Sequence, residues 1–183
     1  MSKLDCIIMA GGRGERMGFI AKPLLELCSK PIILWVVEAL RSICSRIIIV
    51  YSRWTSQIRD YCSGALGIVE CIEGEGEGYV KDLRLALNLV TLPALIAPSD
   101  MPFLKREILE DFITKALIIP QPIVNLYGPQ GPTGVSLFKS YSGEWANIEI
   151  SGGYTLIDVD TWRDYEEARR ICLELMGGGL LKA

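Results

Sequence analysis

The sequence predicts an α/β protein, a three-layer αβα sandwich with a mostly parallel central sheet of Rossmann-like type. Three observations lead there. Short apolar runs ending in Gly, Pro or Asp recur along the chain. Amphipathic stretches at helical spacing stand between them. No repeat, low-complexity tract or Pro/Ser linker breaks the alternation. Strands alternating with helices assemble into parallel sheets through right-handed crossovers, and such sheets bind ligands beyond the C-terminal ends of their strands. At 183 residues the chain is expected to form one domain, 1–183, large enough to bury a core.

Each element has a local reason. Leu4–Met9 reads as a buried strand ended by glycines. From Pro31 to Cys44, apolar residues at 33, 36, 37, 40, 43 and 44 keep the helical period, with Pro31 suited to a first turn. Arg46–Tyr51 is expected to be a second buried strand, Thr55–Cys62 a short helix and Leu66–Ile72 a third strand. Tyr79, Leu83, Ala86, Leu87 and Val90 make one helical face. Ala94–Pro98 is a strand closed by Ser99-Asp100-Met101-Pro102, and a helix follows near Lys105–Lys115. Leu117–Leu126 reads as an irregular or edge strand, because Pro120 and Pro122 cannot donate to a ladder. After a Gly/Pro loop, Thr133–Phe138 and Thr155–Val159 are expected strands, and Trp162, Tyr165, Ala168, Cys172 and Leu175 line a last helix. This order brings Ala10–Lys22, Glu73–Gly78, Ser99–Pro102 and Asp158–Asp160 to one rim of the sheet.

Composition excludes several chemistries. The 19 basic and 22 acidic residues leave a net charge of −3, and there is no histidine, so Ser–His or Cys–His catalysis and histidine metal ligation are absent. The longest strictly apolar run, Ile32–Val37, is six residues, far short of the roughly 20 a spanning helix needs. The protein is therefore expected to be cytoplasmic with no membrane span. The pI near 5.1 and lack of a basic run argue against nucleic acid as a partner. Six scattered cysteines with no C-x-x-C pair are expected to be buried free thiols in a reducing compartment. The high apolar fraction leaves room for a homodimer.

The strongest chemical signal is MAGGRGERMG, residues 9–18, followed by Lys22-Pro23. Gly11, Gly12 and Gly14 let backbone N–H groups approach an anion, and Arg13, Arg16 and Lys22 add three cations suited to a triphosphate. The Walker A spacing fails, since no glycine precedes Lys22 and Pro23 follows it. The dinucleotide fingerprint fails too, with Met17 where its third glycine belongs. Asp100 is placed to hold Mg²⁺ between phosphates. Asp158 and Asp160 compete for a second metal position, and Asp160 also reads as a helix cap. Glu73–Gly78 alternates glycine with carboxylates that would repel phosphate, so it is expected to face a base or ribose; Glu75 or Glu77 could accept from guanine. Asn125–Ser136, rich in Gly and Pro and free of charge, suits a large acceptor.

These residues resemble a known group. MAGGRGERMG with Lys22-Pro23, Ser99-Asp100 and Asp158-Val159-Asp160-Thr161 resemble the nucleotidyltransferases with a glycosyltransferase-A-like sheet, and the resemblance covers nearly the whole chain. Lys22-Pro23-Leu24, Gly78-Tyr79-Val80-x-Asp82-Leu83, Ser99-Asp100 and Pro132-Thr133-Gly134-Val135 look most like the archaeal GTP:adenosylcobinamide-phosphate guanylyltransferases, with the molybdenum-cofactor and F420-precursor nucleotidyltransferases, or a non-catalytic nucleotide-binding domain, as the alternatives. That resemblance implies transfer of GMP from GTP to the phosphate of adenosylcobinamide phosphate, with pyrophosphate released. Carried over by position, Arg13, Arg16, Lys22 and Asp100 would be catalytic. Met9, Ala10, Gly11, Gly12, Arg13, Gly14, Lys22, Gly78, Ser99 and Asp100 would bind the nucleotide. Pro132, Thr133 and Gly134 would meet the acceptor, cobinamide phosphate, and Asp100 with Asp160 would hold Mg²⁺.

Overall fold

The computed structural model of the protein describes residues 3–62 and 69–177. In chain order the elements are β1 (Leu4–Met9), a two-strand ribbon of β2 (Glu26–Leu27) and β3 (Lys30–Pro31), α1 (Ile32–Arg41), β4 (Cys44–Tyr51), α2 (Ile58–Cys62) and β5 (Val69–Glu73). They continue with α3 (Tyr79–Leu87), β6 (Ala94–Pro98), α4 (Arg106–Ile118), β7 (Ile123–Gly128), β8 (Gly131–Phe138), β9 (Trp145–Glu149) and α5 (Trp162–Gly177).

Seven strands form one sheet in the order β5-β4-β1-β6-β8-β7-β9. All neighbours pair in parallel except β8, which runs antiparallel to both β6 and β7. The fold is thus α/β with a mostly parallel sheet, as the sequence predicts. The period-two geometry of a strand sends successive side chains to opposite faces. Along β1, Cys6 and Ile8 enter a core shared with α1 and α4, whereas Ile7 enters a second core against α3. Both cores exclude water: Ile7, Ile8, Ile47, Ile48 and Phe112 are fully buried. Each such side chain contributes about 1.5–3 kcal/mol by leaving water.

A third, smaller cluster positions the site. Met17 from the segment after β1, Leu27, Ile32, Val159, and Ala168 and Cys172 of α5 pack together. The Tyr165 hydroxyl donates to the Glu26 carbonyl at 2.6 Å, tying α5 to the ribbon.

Four local expectations need correction. Thr155–Val159 is no strand: a 3₁₀ turn covers Gly153–Leu156, and Val159 makes a single backbone bond across the rim, donating to the Asp100 carbonyl at 2.9 Å. The final strand is β9, whose exposed Trp145, Asn147 and Glu149 alternate with half-buried Ala146 and Ile148; so weakly apolar a pattern is typical of an edge and escaped detection. The expected strand Leu117–Leu126 divides, because α4 runs on to Ile118 and β7 begins only at Ile123, after both prolines. Asn125–Ser136 is a β-hairpin, with Tyr127 opposite Pro132 and Gly128 opposite Gly131, instead of a long connecting loop. Residues 66–68 of the expected third strand lie outside the described residues.

The cysteines are the largest correction. All six are paired as disulfides, Cys6–Cys44, Cys28–Cys172 and Cys62–Cys71, with Cα atoms 5.9, 6.0 and 6.0 Å apart. The first joins adjacent strands β1 and β4, the second joins the ribbon to α5, and the third joins α2 to β5. Spacing along the chain concealed this, because two of the pairs are 38 and 144 residues apart. The cysteines therefore give no ground for expecting a reducing compartment. Among the described residues no helix is long and apolar enough to cross a membrane.

Candidate active site

Parallel strands β1, β4, β5 and β6 end on one rim, and the segments leaving them enclose a cavity of about 440 Å³. Its walls are Met9, Gly11, Gly12 and Arg13 after β1, Lys22 and Pro23, Gly76–Tyr79 and Asp82 after β5, and Pro98–Asp100 after β6. A second groove of about 330 Å³, shared through Gly12, Arg13 and Lys22, adds Gly14, Arg16 and Asp160. Nine of the ten residues expected to bind the nucleotide line these two spaces; the tenth, Ala10, is buried beneath them and donates its N–H to the Val50 carbonyl at 2.8 Å.

The glycine loop has its own anchors. Ser52, just past β4, donates its hydroxyl to the Gly11 carbonyl at 2.8 Å and forms a capping box with Thr55. Gly14 occupies the left-handed region at φ 64°, and a Cβ there would sit 2.0 Å from the Ile20 carbonyl oxygen. Gly14→Ala is expected to lose about 1–2 kcal/mol from the backbone alone, and more from the clash. The measurement is the midpoint of denaturant unfolding; an unchanged midpoint would show that the loop opens without cost. Arg13 stacks over Trp54, its guanidinium carbon 5.4 Å from the ring centroid, and holds a loose ion pair with Glu15. That arrangement keeps the Arg13 head at the cavity wall.

Charge converges on Lys22. Its Nζ lies 3.0 Å from Asp100 Oδ2 and 2.7 Å from Asp160 Oδ1, and Arg16 Nη1 lies 2.6 Å from Asp160 Oδ2. Lys22, Asp100 and Asp160 are mostly buried, whereas Arg16 is exposed. Burial alone would lower the Lys22 pKa, but Asp100 and Asp160 outweigh it and hold the ammonium above its ordinary value. Burial alone would raise the Asp160 pKa, but the hydrogen bond and charge of Lys22, with Arg16, hold it below the ordinary carboxylate range. Asp158 goes the other way, pushed up by burial and then by the charge of Asp160.

Asp160 is free to face Lys22 because another residue caps α5. The Thr161 N–H and hydroxyl donate to Asp164 Oδ2 at 2.7 and 2.8 Å, and the Asp164 N–H donates back to Thr161 Oγ1. This reciprocal pair satisfies the first turn. The capping duty considered for Asp160 belongs to Thr161, and the geometry separates the two aspartates: Asp160 meets the cations, and Asp158 lines a different cleft.

That cleft, about 470 Å³, lies between the β7–β8 turn and α5 and includes Pro132, Thr133, Tyr154, Asp158 and Arg170. Thr133 is not free, since its hydroxyl donates to the Leu126 carbonyl at 2.9 Å and accepts from the Val135 N–H. Gly134 packs against Pro98, outside the cleft.

The acidic segment after β5 is divided in the same way. Gly76, Glu77 and Gly78 line the cavity, while Glu77 pairs with Lys81. Sequence reasoning missed Pro23, Pro98, Tyr79 and Asp82 as wall residues. The helical period puts Tyr79 on the apolar face of α3, yet it is exposed at the cavity. Asp82 enters the sequence reading only within the Gly78–Leu83 motif, and the signal for its place at the wall is an acid in the first turn of a helix that follows a glycine loop.

The family model described as MobA-like NTP transferase domain matches residues 6–140. The adenosylcobinamide-phosphate guanylyltransferase of Methanocaldococcus jannaschii is 34% identical over 114 residues, 60% of this chain and 58% of that relative. A molybdenum cofactor guanylyltransferase of Pseudomonas putida is 29% identical over 112 residues, 61% of this chain and 57% of its own length. The chain thus spans a little over half the length of these curated relatives. In fold it resembles the solved structure of molybdopterin-guanine dinucleotide biosynthesis protein A from Archaeoglobus fulgidus, with a TM-score of 0.73, 19% identity, and coverage of 93% of this chain and 100% of that one.

Proposed function

Because the chain belongs to the family of MobA-like NTP transferase domains, we propose that it transfers GMP from GTP to the phosphate of adenosylcobinamide phosphate, giving adenosylcobinamide-GDP and pyrophosphate. The observation that carries the transfer chemistry is the meeting of Lys22, Arg16, Asp100 and Asp160 where the two grooves join. The acceptor reading is supported by the name of the Methanocaldococcus relative and by the uncharged β7–β8 hairpin beside the third cleft.

The mechanism follows from charge. An acceptor phosphate monoester has a second pKa of about 6, so at neutral pH its oxygen is already a nucleophile and no imidazole is needed. Attack forms a bond from that oxygen to the α-phosphorus and breaks the bond to the β-phosphate, which leaves as pyrophosphate. The chain's task is to align the groups and neutralise charge. The backbone of Gly11–Gly14 faces the phosphates, Arg13 and Arg16 stand at the groove, and Lys22 supplies a desolvated positive charge at its centre.

The two carboxylates fit Mg²⁺. Asp100 and Asp160 already converge on one cation, Lys22 Nζ, and Mg²⁺ takes one or two carboxylates together with phosphate oxygens and water. Held by Asp100 and Asp160, it would neutralise phosphate charge and favour departure of pyrophosphate.

The test is pyrophosphate release with GTP, CTP, ATP or UTP, with and without adenosylcobinamide phosphate, and the mass of the product. Release with GTP only when the acceptor is present, and a product of mass adenosylcobinamide-GDP, is the expected result. The Pseudomonas relative favours a second acceptor, so molybdopterin is the comparison arm; release there and none with the cobinamide would move the assignment. Nucleotide binding with no release for any acceptor would leave a non-catalytic nucleotide-binding domain.

A further inference from the structure

Asp82 is buried, the one charged side chain in that class among the described residues, and the mechanism above makes no use of it. It belongs to the first turn of α3, and its carboxylate reaches back beneath the loop that leaves β5. Oδ1 accepts from the Gly76 N–H at 3.3 Å. The carboxylate lies so close to Gly74 that a Cβ there would sit 2.6 Å from Asp82 Cγ. Its other oxygen faces the start of the phosphate loop, 3.5 Å from where a Cβ on Gly11 would be. One buried group therefore bonds to the loop after β5 and faces the loop after β1, the two loops that wall the cavity.

The two loops are anchored differently. Gly11 has the Ser52 hydroxyl on its carbonyl, and Ala10 continues the ladder to Val50. Gly74 is still within reach of the ladder, donating to the Tyr51 carbonyl at 2.7 Å. Past that point the chain turns at Gly76, φ 69°, and at Gly78, φ 130°, before α3 begins. The Gly76–Asp82 bond falls within that turning stretch. A buried carboxylate without its partner is costly, so bond and loop conformation hold each other in place.

We propose that Asp82 is a positioning residue for nucleotide selection: by seating Gly74–Gly78 against the start of the phosphate loop it fixes the wall that meets base and ribose, and leaves the phosphate subsite untouched. This rests on reading the cavity as the nucleotide site. The alternation of glycine and glutamate in Gly74–Gly78 then has a division of labour. Gly74 must lack a side chain so that the carboxylate can lie flat beneath it, and Gly76 supplies the N–H.

The experiment is isothermal titration calorimetry with GTP, CTP and inorganic tripolyphosphate, on the wild type, Asp82→Ala, Asp82→Asn and Gly74→Ala. Asp82→Ala is expected to weaken GTP by about tenfold, with its preference over CTP reduced and tripolyphosphate affinity unchanged. Asp82→Asn keeps an oxygen that can accept from Gly76 and should recover GTP affinity. Gly74→Ala pushes the loop off the carboxylate from the opposite side and should reproduce Asp82→Ala. Adding it to Asp82→Ala should then change little, because the two share one interaction.

Equal losses for GTP and tripolyphosphate would mean general damage and overturn the proposal, as would unchanged GTP affinity in Asp82→Ala. Asp82→Asn as weak as Asp82→Ala would show that the charge reads the ligand directly, and also overturn it. If Asp82→Ala does not fold, Asp82→Asn and Gly74→Ala carry the same comparison. Amide hydrogen exchange needs no nucleotide and separates the two levels of inference. Faster exchange across Gly74–Gly78 in the variants supports the positioning role, and unchanged exchange overturns it. A wild type that binds tripolyphosphate and no nucleotide overturns the reading of the cavity instead.

Discussion

Lys22→Ala is expected to lower turnover by about 10²–10³-fold, measured as pyrophosphate release from GTP and acceptor under single-turnover conditions. The size follows from its position. Lys22 Nζ bonds to both Asp100 and Asp160, and its side chain is 15% exposed. Removing it deletes a positive charge from a partly dry site and leaves two carboxylates facing each other across the gap. Lys22→Arg keeps the charge but replaces a compact ammonium by a wide planar fork, so it should recover only part of the rate. Near-normal turnover in Lys22→Ala would remove the mechanism.

The pH dependence follows from the same cluster. Asp160 is held below its ordinary pKa, so its favourable contribution is present above that ordinary value and is lost as pH falls through the depressed one. Lys22 is held above its ordinary 10.5, so its contribution is present below that value and is lost only as pH rises through the raised one. Between these limits the cluster keeps its charges. The acid limb of kcat/KM is therefore expected from the acceptor phosphate, near its second pKa of about 6. A limb that stays in place when a non-titrating acceptor analogue is used would contradict this.

Reduction of the disulfides is expected to be the largest stability change. Each cross-link contributes about 2–5 kcal/mol, with larger values for longer loops, and Cys28–Cys172 spans 144 residues. All three together are comparable to the whole stability of a typical domain, about 5–15 kcal/mol. Complete reduction should therefore lower Tm by about 20 °C or more, since 1 kcal/mol shifts a domain of this size by about 2–4 °C. Calorimetry with and without reductant, with thiols counted after denaturation, measures it. Six free thiols at an unchanged Tm would show that the bonds add nothing to stability. Disulfides persist in oxidising compartments and in intracellular proteins of hyperthermophiles, and the heat resistance of the oxidised protein bears on which applies.

Much of the fold was legible because its determinants are local. The apolar runs Leu4–Met9, Arg46–Tyr51 and Ala94–Pro98 are the three innermost parallel strands almost to the residue. Strands buried on both faces need continuous apolar side chains, and that signal is strong. Edge elements carry half the signal, so β9 was missed and Thr155–Val159 was mistaken for it. The helical period of 31–44 ran past the true end of α1, because Ile43 and Cys44 are apolar for another reason, as core residues at the start of β4.

The sequence by itself determined the α/β architecture, the glycine loop after the first strand with its three cations, and the placing of Asp100 at the end of β6. Each depends on residues within a few positions of one another, where periodicity, glycine and backbone geometry act directly. Only the tertiary structure decided which carboxylates meet Lys22, 78 and 138 residues away. It also decided that Asp160 and not Asp158 is one of them, that six cysteines pair, and that Asp82 lies under the β5 loop. Such contacts are set by crossovers and by the packing of α5 on Met17 and Leu27. Local pattern has no access to them, because parallel strands bring their C-terminal ends together from distant parts of the chain.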